Sequence, residues 1–243
     1  MAPRKRTLVV AGAVVMLAVL GFAGWWFFIR DDAPDPVDID RAAEGVDDEA
    51  GADTTETDGV WSVDPEVGDF ADFSSSFVGY RVQEELATIG ANTAVGRTPA
   101  VTGTMQIEGT SIESVVVEAD LTQLVSDESR RDGQLRTRGL ETDTFPTATF
   151  ALLESIELDA IPAAGETISE TAHGELTVHG VTNEVEVPLE ARLVDDVIAV
   201  TGELELELGD YGIEPPTTAI VLSVSEDATL ELQLFFTKVA EGH

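Results

Sequence analysis

The chain runs to 243 residues, with 13 Lys plus Arg against 47 Asp plus Glu, a formal net charge of -34 and no cysteine. Disulfides, zinc–thiolate centres and thiol catalysis are excluded. The negative field also argues against nucleic acid and against electrostatic docking on anionic lipid headgroups. A length in this range holds one ordinary domain with appendages, or two small ones.

Residues 1–7 form a basic tail containing Arg4, Lys5 and Arg6, and residues 8–29 follow without a single charge. At about 1.5 Å per residue such a run spans the roughly 30 Å hydrocarbon core as one transmembrane helix. "PRKR" before it and "RDD" after it orient the N-terminus to the cytoplasm by the positive-inside bias. "WWFF", Trp25 to Phe28, sits where an aromatic belt marks the outer interface. The alternative is a cleaved signal peptide, whose apolar core is about 7–15 residues with a small-residue exit. The longer run and its bulky aromatic end favour an uncleaved anchor. The expected location is the cell membrane, single-pass, with the rest of the chain extracytoplasmic.

Over residues 30–59 the composition turns to Asp, Glu, Ala, Pro, Gly and Thr. Such a stretch buries too little apolar surface to offset its ordering entropy and reads as a disordered acidic linker.

Residues 60–243 make up the exported domain, with period-2 alternation broken by Gly, Asp and Pro turns. "VEVPLEARL" sets Val185, Val187, Leu189, Ala191 and Leu193 on one face against Glu184, Glu186, Glu190 and Arg192 on the other. "GELELELG" and "TLELQLFF" repeat the pattern, and further strands are predicted over 77–83, 101–108, 113–121, 147–156 and 170–178. Half-buried antiparallel strands follow, in a closed barrel or a sandwich, with outward glutamates forming a solvated face. The one predicted helix covers 127–140, and Gly133 weakens it.

His173 and His179 lie six residues apart, about 20 Å along one strand, and the third histidine is His243. A shared zinc site would need the chain to fold back and carboxylates to complete the ligand set. "HGVT" otherwise reads as a turn, with Gly180 taking positive φ. No Gly-x-Ser-x-Gly elbow, phosphate-cradling loop or distinguishable carboxylate pair is present. The informative cluster is Arg130, Arg131, Arg136 and Arg138. Either Arg131 pairs with Asp132 to brace this segment, or its guanidinium binds a polar or anionic ligand head at a barrel mouth.

"RDGQLRT", "FPTATF", "GELTVHGVTNEVEVPLEARL" and the opening "WSVDPEVGDFADFSSSFVGYRV" together resemble the YceI-like family. The resemblance covers roughly Val60 to Val239. It implies an all-β, antiparallel eight-stranded lipocalin-like barrel with one short helix, of a kind that binds polyisoprenoids and related amphiphiles, is not an enzyme and can dimerise. Arg131, Asp132 and Leu135 match the family's Arg-Asp-x-x-Leu. Phe145, Pro146 and Phe150 match its aromatic-Pro-x-x-x-Phe. Gly174, Leu176, Thr177, His179, Gly180, Val181 and Thr182 match its Gly-x-Leu-Thr-x-His-Gly-Val-Thr.

Departures are Gln134 in place of a frequent histidine, the missing histidine before the second-strand serine, and a longer loop over 87–103. Inward Phe77, Val101, Met105, Phe150, Leu204 and Leu232 are expected to wall an apolar cavity. The expected ligand-contacting set is Phe77, Tyr80, Met105, Arg131, Asp132, Phe145, Phe150 and His179, with no metal ligands. The implied occupant is an isoprenoid or quinone-like lipid, held for sequestration or transport, with no other cofactor. The rival reading is a non-catalytic envelope module with a filled barrel. A third, an enzyme built on His173 and His179, requires the two rings to converge on a common metal.

Overall fold

The computed structural model describes residues 33–46, 56–88, 90–215 and 221–240. The expected transmembrane run 8–29, the basic tail and His243 lie outside them.

Alternating sequences form strands β1 (Gly59–Val63), β2 (Phe77–Leu86), β3 (Gly90–Thr98), β4 (Val101–Glu108), β5 (Ser111–Asp120) and β6 (Val125–Ser126). After them come β7 (Thr147–Leu152), β8 (Ile156–Glu157), β9 (Thr167–Val178), β10 (Val181–Val194), β11 (Val197–Glu207) and β12 (Val221–Lys238). Two short helices, α1 (Ile39–Glu44) and α2 (Ser129–Leu135), complete the described elements together with 3₁₀ turns.

Neighbouring strands run in the order β1-β4-β5-β7-β9-β10-β11-β12, and β12 returns to pair with β1, closing an eight-stranded antiparallel barrel. Closure occurs through Trp61 opposite Lys238 and Val63 opposite Phe236. The 18-residue β12 outruns this contact, and its first part pairs instead with β2, which continues through β3 to β6. The loop expected over 87–103 is therefore mostly strand. Its residues from Gly90 to Thr98 satisfy their backbone groups against β2.

The β9–β10 connection is a two-residue turn. His179 (φ 53°) and Gly180 (φ 73°) both take the left-handed region, the geometry of a type I′ hairpin. Phe145 lies over this turn, and a Cβ on Gly180 would fall 2.7 Å from its ring.

Inward side chains form one cluster around Trp61, Met105, Val200, Leu234 and Phe236, and a second around Leu121, Leu176, Tyr211 and Ile213. They occupy opposite ends of the barrel, as the strand registers require.

Part of the acidic stretch expected to be a disordered linker is instead docked. Asp38 caps α1 by accepting from the Arg41 backbone N–H, and Ile39, Ala42 and Val46 are buried against Ala199 and Phe235 on the outer wall. A six-residue helix is not stable in isolation, so tertiary burial holds it. The carbonyls of Pro34 and Asp35 accept from Arg81 and Arg97 at 2.7 and 2.8 Å.

Beneath this strap Glu231 is fully buried, accepting from Arg97 at 2.7 Å and Arg81 at 3.3 Å. The Arg97 guanidinium also lies over the rings of Phe73 and Phe77, 4.6 and 4.3 Å from their centroids. Glu231 thus departs from the solvated face expected of outward glutamates, because a second layer covers the wall at that point.

Candidate functional site

An apolar cavity of ≈170 Å³ lies inside the barrel. Its wall is aliphatic and aromatic, with Met105, Phe150, Ala172, Val187, Leu204 and Leu232 contributed by six different strands. Of the expected wall residues, Met105, Phe150, Leu204 and Leu232 line it. Val101 packs in the inner cluster instead. Phe77 lies on the outer wall beneath Arg97, because its neighbour Val78 takes the inward position.

The cavity reaches the end of the barrel where β9 begins and β10 ends. There Thr57, Gly109, Ile161, Pro162, Glu170 and Arg192 complete the lining. Ile161 is half-exposed at this rim. Arg192 and Glu170 are the charged groups among the described lining residues. Arg192 donates from Nε to Thr167 Oγ1 at 2.8 Å and from Nη2 to the same oxygen at 2.6 Å, and also donates to Asp40 of α1.

Toward the other end Arg131 and Asp132 lie near Tyr80, while Phe145 packs on His179 at the β9–β10 turn. There Arg131 Nη2 donates to the buried Glu84 carboxylate at 2.6 Å, and Arg131 also donates to Asp127. Asn92 Nδ2 reaches the same Glu84 oxygen at 2.8 Å. The expected Arg131–Asp132 pair is not formed, since adjacent positions of a helix point to different faces. Asp132 instead accepts from the backbone N–H and hydroxyl of Ser126 at 3.1 and 2.6 Å, tying α2 to β6.

Burial opposes the Arg131 charge, but the Glu84 and Asp127 carboxylates outweigh it and hold the pKa above the ordinary arginine value. Burial likewise pushes the Tyr80 phenol well above its usual range, and among the described residues its buried hydroxyl has no hydrogen-bond partner. Arg131→Ala is expected to lower stability by about 2–3 kcal/mol, because Glu84 is left buried without its cation. Urea unfolding checks this, and a loss below about 1 kcal/mol would mean that the pair is effectively solvated.

The histidines do not converge. His173 lies 3.7 Å from Glu154 and 3.9 Å from Glu184. His179 Nδ1 and Nε2 each lie 3.0 Å from an acceptor, the Tyr211 carbonyl and the Glu141 carboxylate. Both bonds are made together only when the ring carries two protons. Phe145 packs edge-on against the ring at 4.3 Å. Together with Arg138 and Glu214, this histidine borders a separate polar cleft of ≈310 Å³. Among the described residues no three or more His, Asp or Glu side chains are grouped as a metal site.

Sequence reasoning put Arg192 on the outer face, where it pairs in register with Ala199, but passed over its partner Asp40, assigned to a disordered stretch. Their proximity depends on the docking of the strap. The run Ile39, Ala42, Ala43, Val46 behind Asp38 carried a helical signal.

Among solved structures, the fold is similar to a polyisoprenoid binding domain from Saccharophagus degradans implicated in plant cell wall breakdown. That likeness has 21% identity and a TM-score of 0.57, covering 74% of this chain and 98% of that one. It is also similar to a Campylobacter jejuni YCEI protein, at 15% identity and a TM-score of 0.50, covering 60% of this chain and 85% of that one. At these identities the likeness speaks for the fold alone. No curated protein matches. The YceI-like domain matches residues 61–236, taking in all eight barrel strands, the arginine segment and the β9–β10 turn. The chain therefore belongs to the YceI-like family.

Proposed function

We propose that this barrel binds an isoprenoid-type or other amphiphilic lipid in its interior, for sequestration or transport, and performs no catalysis. The observation that carries this reading is the wholly apolar middle of the cavity, walled by residues such as Phe150, Leu204 and Leu232. Each buried CH₂ of a prenyl chain contributes about 0.8 kcal/mol there without any reacting group. A polyisoprenoid binding domain with the same fold supports the choice of ligand class. In this reading the run 8–29 tethers the chain to a membrane, with the barrel on the extracytoplasmic side. Quinone-like lipids fall in the same chemical class, and the barrel acts alone or as a homodimer.

The modest volume, ≈170 Å³, favours a second reading as an envelope module with a largely filled barrel. Preformed ligand pockets usually begin near ~300 Å³, so a long chain enters only if lining side chains part. Native mass spectrometry and organic extraction of the protein from its host separate the two. Stoichiometric co-purified lipid supports binding, and lipid-free protein that takes up no added prenyl alcohol sinks it.

A further inference from the structure

We propose that Glu170 selects the head of the bound lipid, favouring a group that donates a hydrogen bond and carries no negative charge, such as a hydroxyl. This rests on the cavity being a lipid site and adds the chemistry of the head. On β9 the residues Ile168, Glu170, Ala172 and Leu176 fall at even positions of the alternation, and all four line the cavity. Their register partners on β10 line it too, with Ala191 opposite Ile168, Leu189 opposite Glu170 and Val187 opposite Ala172. Glu170 therefore belongs to the inner face, at the mouth. Arg192, the other charged residue of the described lining, pairs with Ala199 beneath the strap, and its guanidinium donates to Thr167 and Asp40 on the outer wall.

Glu170 is half-buried, and among the described residues its carboxylate has neither a hydrogen-bond donor nor a cation. Most of the lining at this end is apolar, including Ile161, Pro162, Ile168 and Leu189. Water solvates the carboxylate while the mouth is open. A lipid whose tail fills the cavity brings its head to this level and displaces that water. Covering an unpaired carboxylate is costly. An ionised carboxylate only accepts hydrogen bonds, so a hydroxyl head restores what the water supplied with a charge-assisted bond. An ether head restores nothing, and a phosphate head adds like-charge repulsion. The apolar wall sorts tails by fit alone, whereas the one inward acid at its rim sorts heads by chemistry.

The test is calorimetric titration of the full chain, stripped of lipid, with geraniol, geranyl methyl ether and geranyl phosphate. Wild type is expected to bind the alcohol about tenfold more tightly than the ether, and the phosphate most weakly. Glu170→Leu should abolish the advantage of the alcohol over the ether. Glu170→Gln should keep part of that advantage, because the amide carbonyl still accepts, and should tighten the phosphate about two- to fivefold. Thermal melts establish that each variant is folded. Equal binding of alcohol and ether by wild type, or an advantage that survives Glu170→Leu, overturns the role of Glu170 but leaves the cavity reading intact. Wild type that binds the phosphate most tightly overturns the rejection of anionic heads. Wild type that binds none of the probes overturns the cavity reading and this assignment with it.

Discussion

Glu231→Ala is expected to lower the unfolding free energy by about 3–5 kcal/mol, a larger loss than that of Arg131→Ala. Glu231 is fully buried between Arg97 and Arg81, and its removal leaves the 3% exposed Arg97 without a counter-charge. Arg97 cannot readily turn to water, because Phe73 and Phe77 face its guanidinium and the Asp35 carbonyl accepts from Nη2. Replacing the carboxylate and both cations together by apolar groups should recover much of the loss, since the cost lies in the unpaired charges. In a thermal melt the single variant corresponds to a fall of roughly 10 °C for a domain of this size. A fall within the error of the melt would show that water reaches the triad.

The second large effect is functional. Ala172→Phe is expected to cut co-purified lipid at least tenfold (about 1.4 kcal/mol of binding), while stability stays within about 1 kcal/mol of wild type. Ala172 is buried on the inner face of β9, opposite Val187, and both line the cavity. A phenyl ring there projects into existing space, filling a void whose emptiness itself costs stability. Lipid extraction beside a denaturant melt separates the outcomes. Unchanged lipid with an unchanged or raised melt would place the ligand outside the cavity. A collapsed melt would mean that the wall cannot accept the ring.

These two sites differ in how visible they were. Ala172 sits in "ETAHGELTV", where inward positions alternate from Ile168 to Val178 as a half-buried strand requires. The same alternation put Met105, Phe150, Leu204 and Leu232 on the wall correctly. It failed at Phe77, where Val78 faces inward, and at Glu231, where it predicted solvent. The period of two says which residues share a face, but not which face is inside or what lies over the outside. A covered outer wall is a matter of distant chain, in this fold residues 34–46 and the loop carrying Phe73.

The arginine segment shows the same division. Helix α2 was legible from its composition, and the His179–Gly180 turn from its glycine. The partners of Arg131 were not, because Glu84 lies 47 residues away on β2, inside a stretch rich in interchangeable acids. With 47 carboxylates in the chain, local spacing cannot choose among them.

By itself, then, the sequence determined the all-β class, the antiparallel strands, the exclusion of thiol chemistry and the family, since each follows from composition, period or ordered motifs. Only the tertiary structure decided that β12 closes on β1, that Glu231 is buried, and that Asp40 meets Arg192 on the outer wall. Those depend on contacts between distant residues, such as Trp61 and Lys238, 177 positions apart. The closure of such contacts is governed by the burial available to the whole chain, not by the preferences of any short stretch.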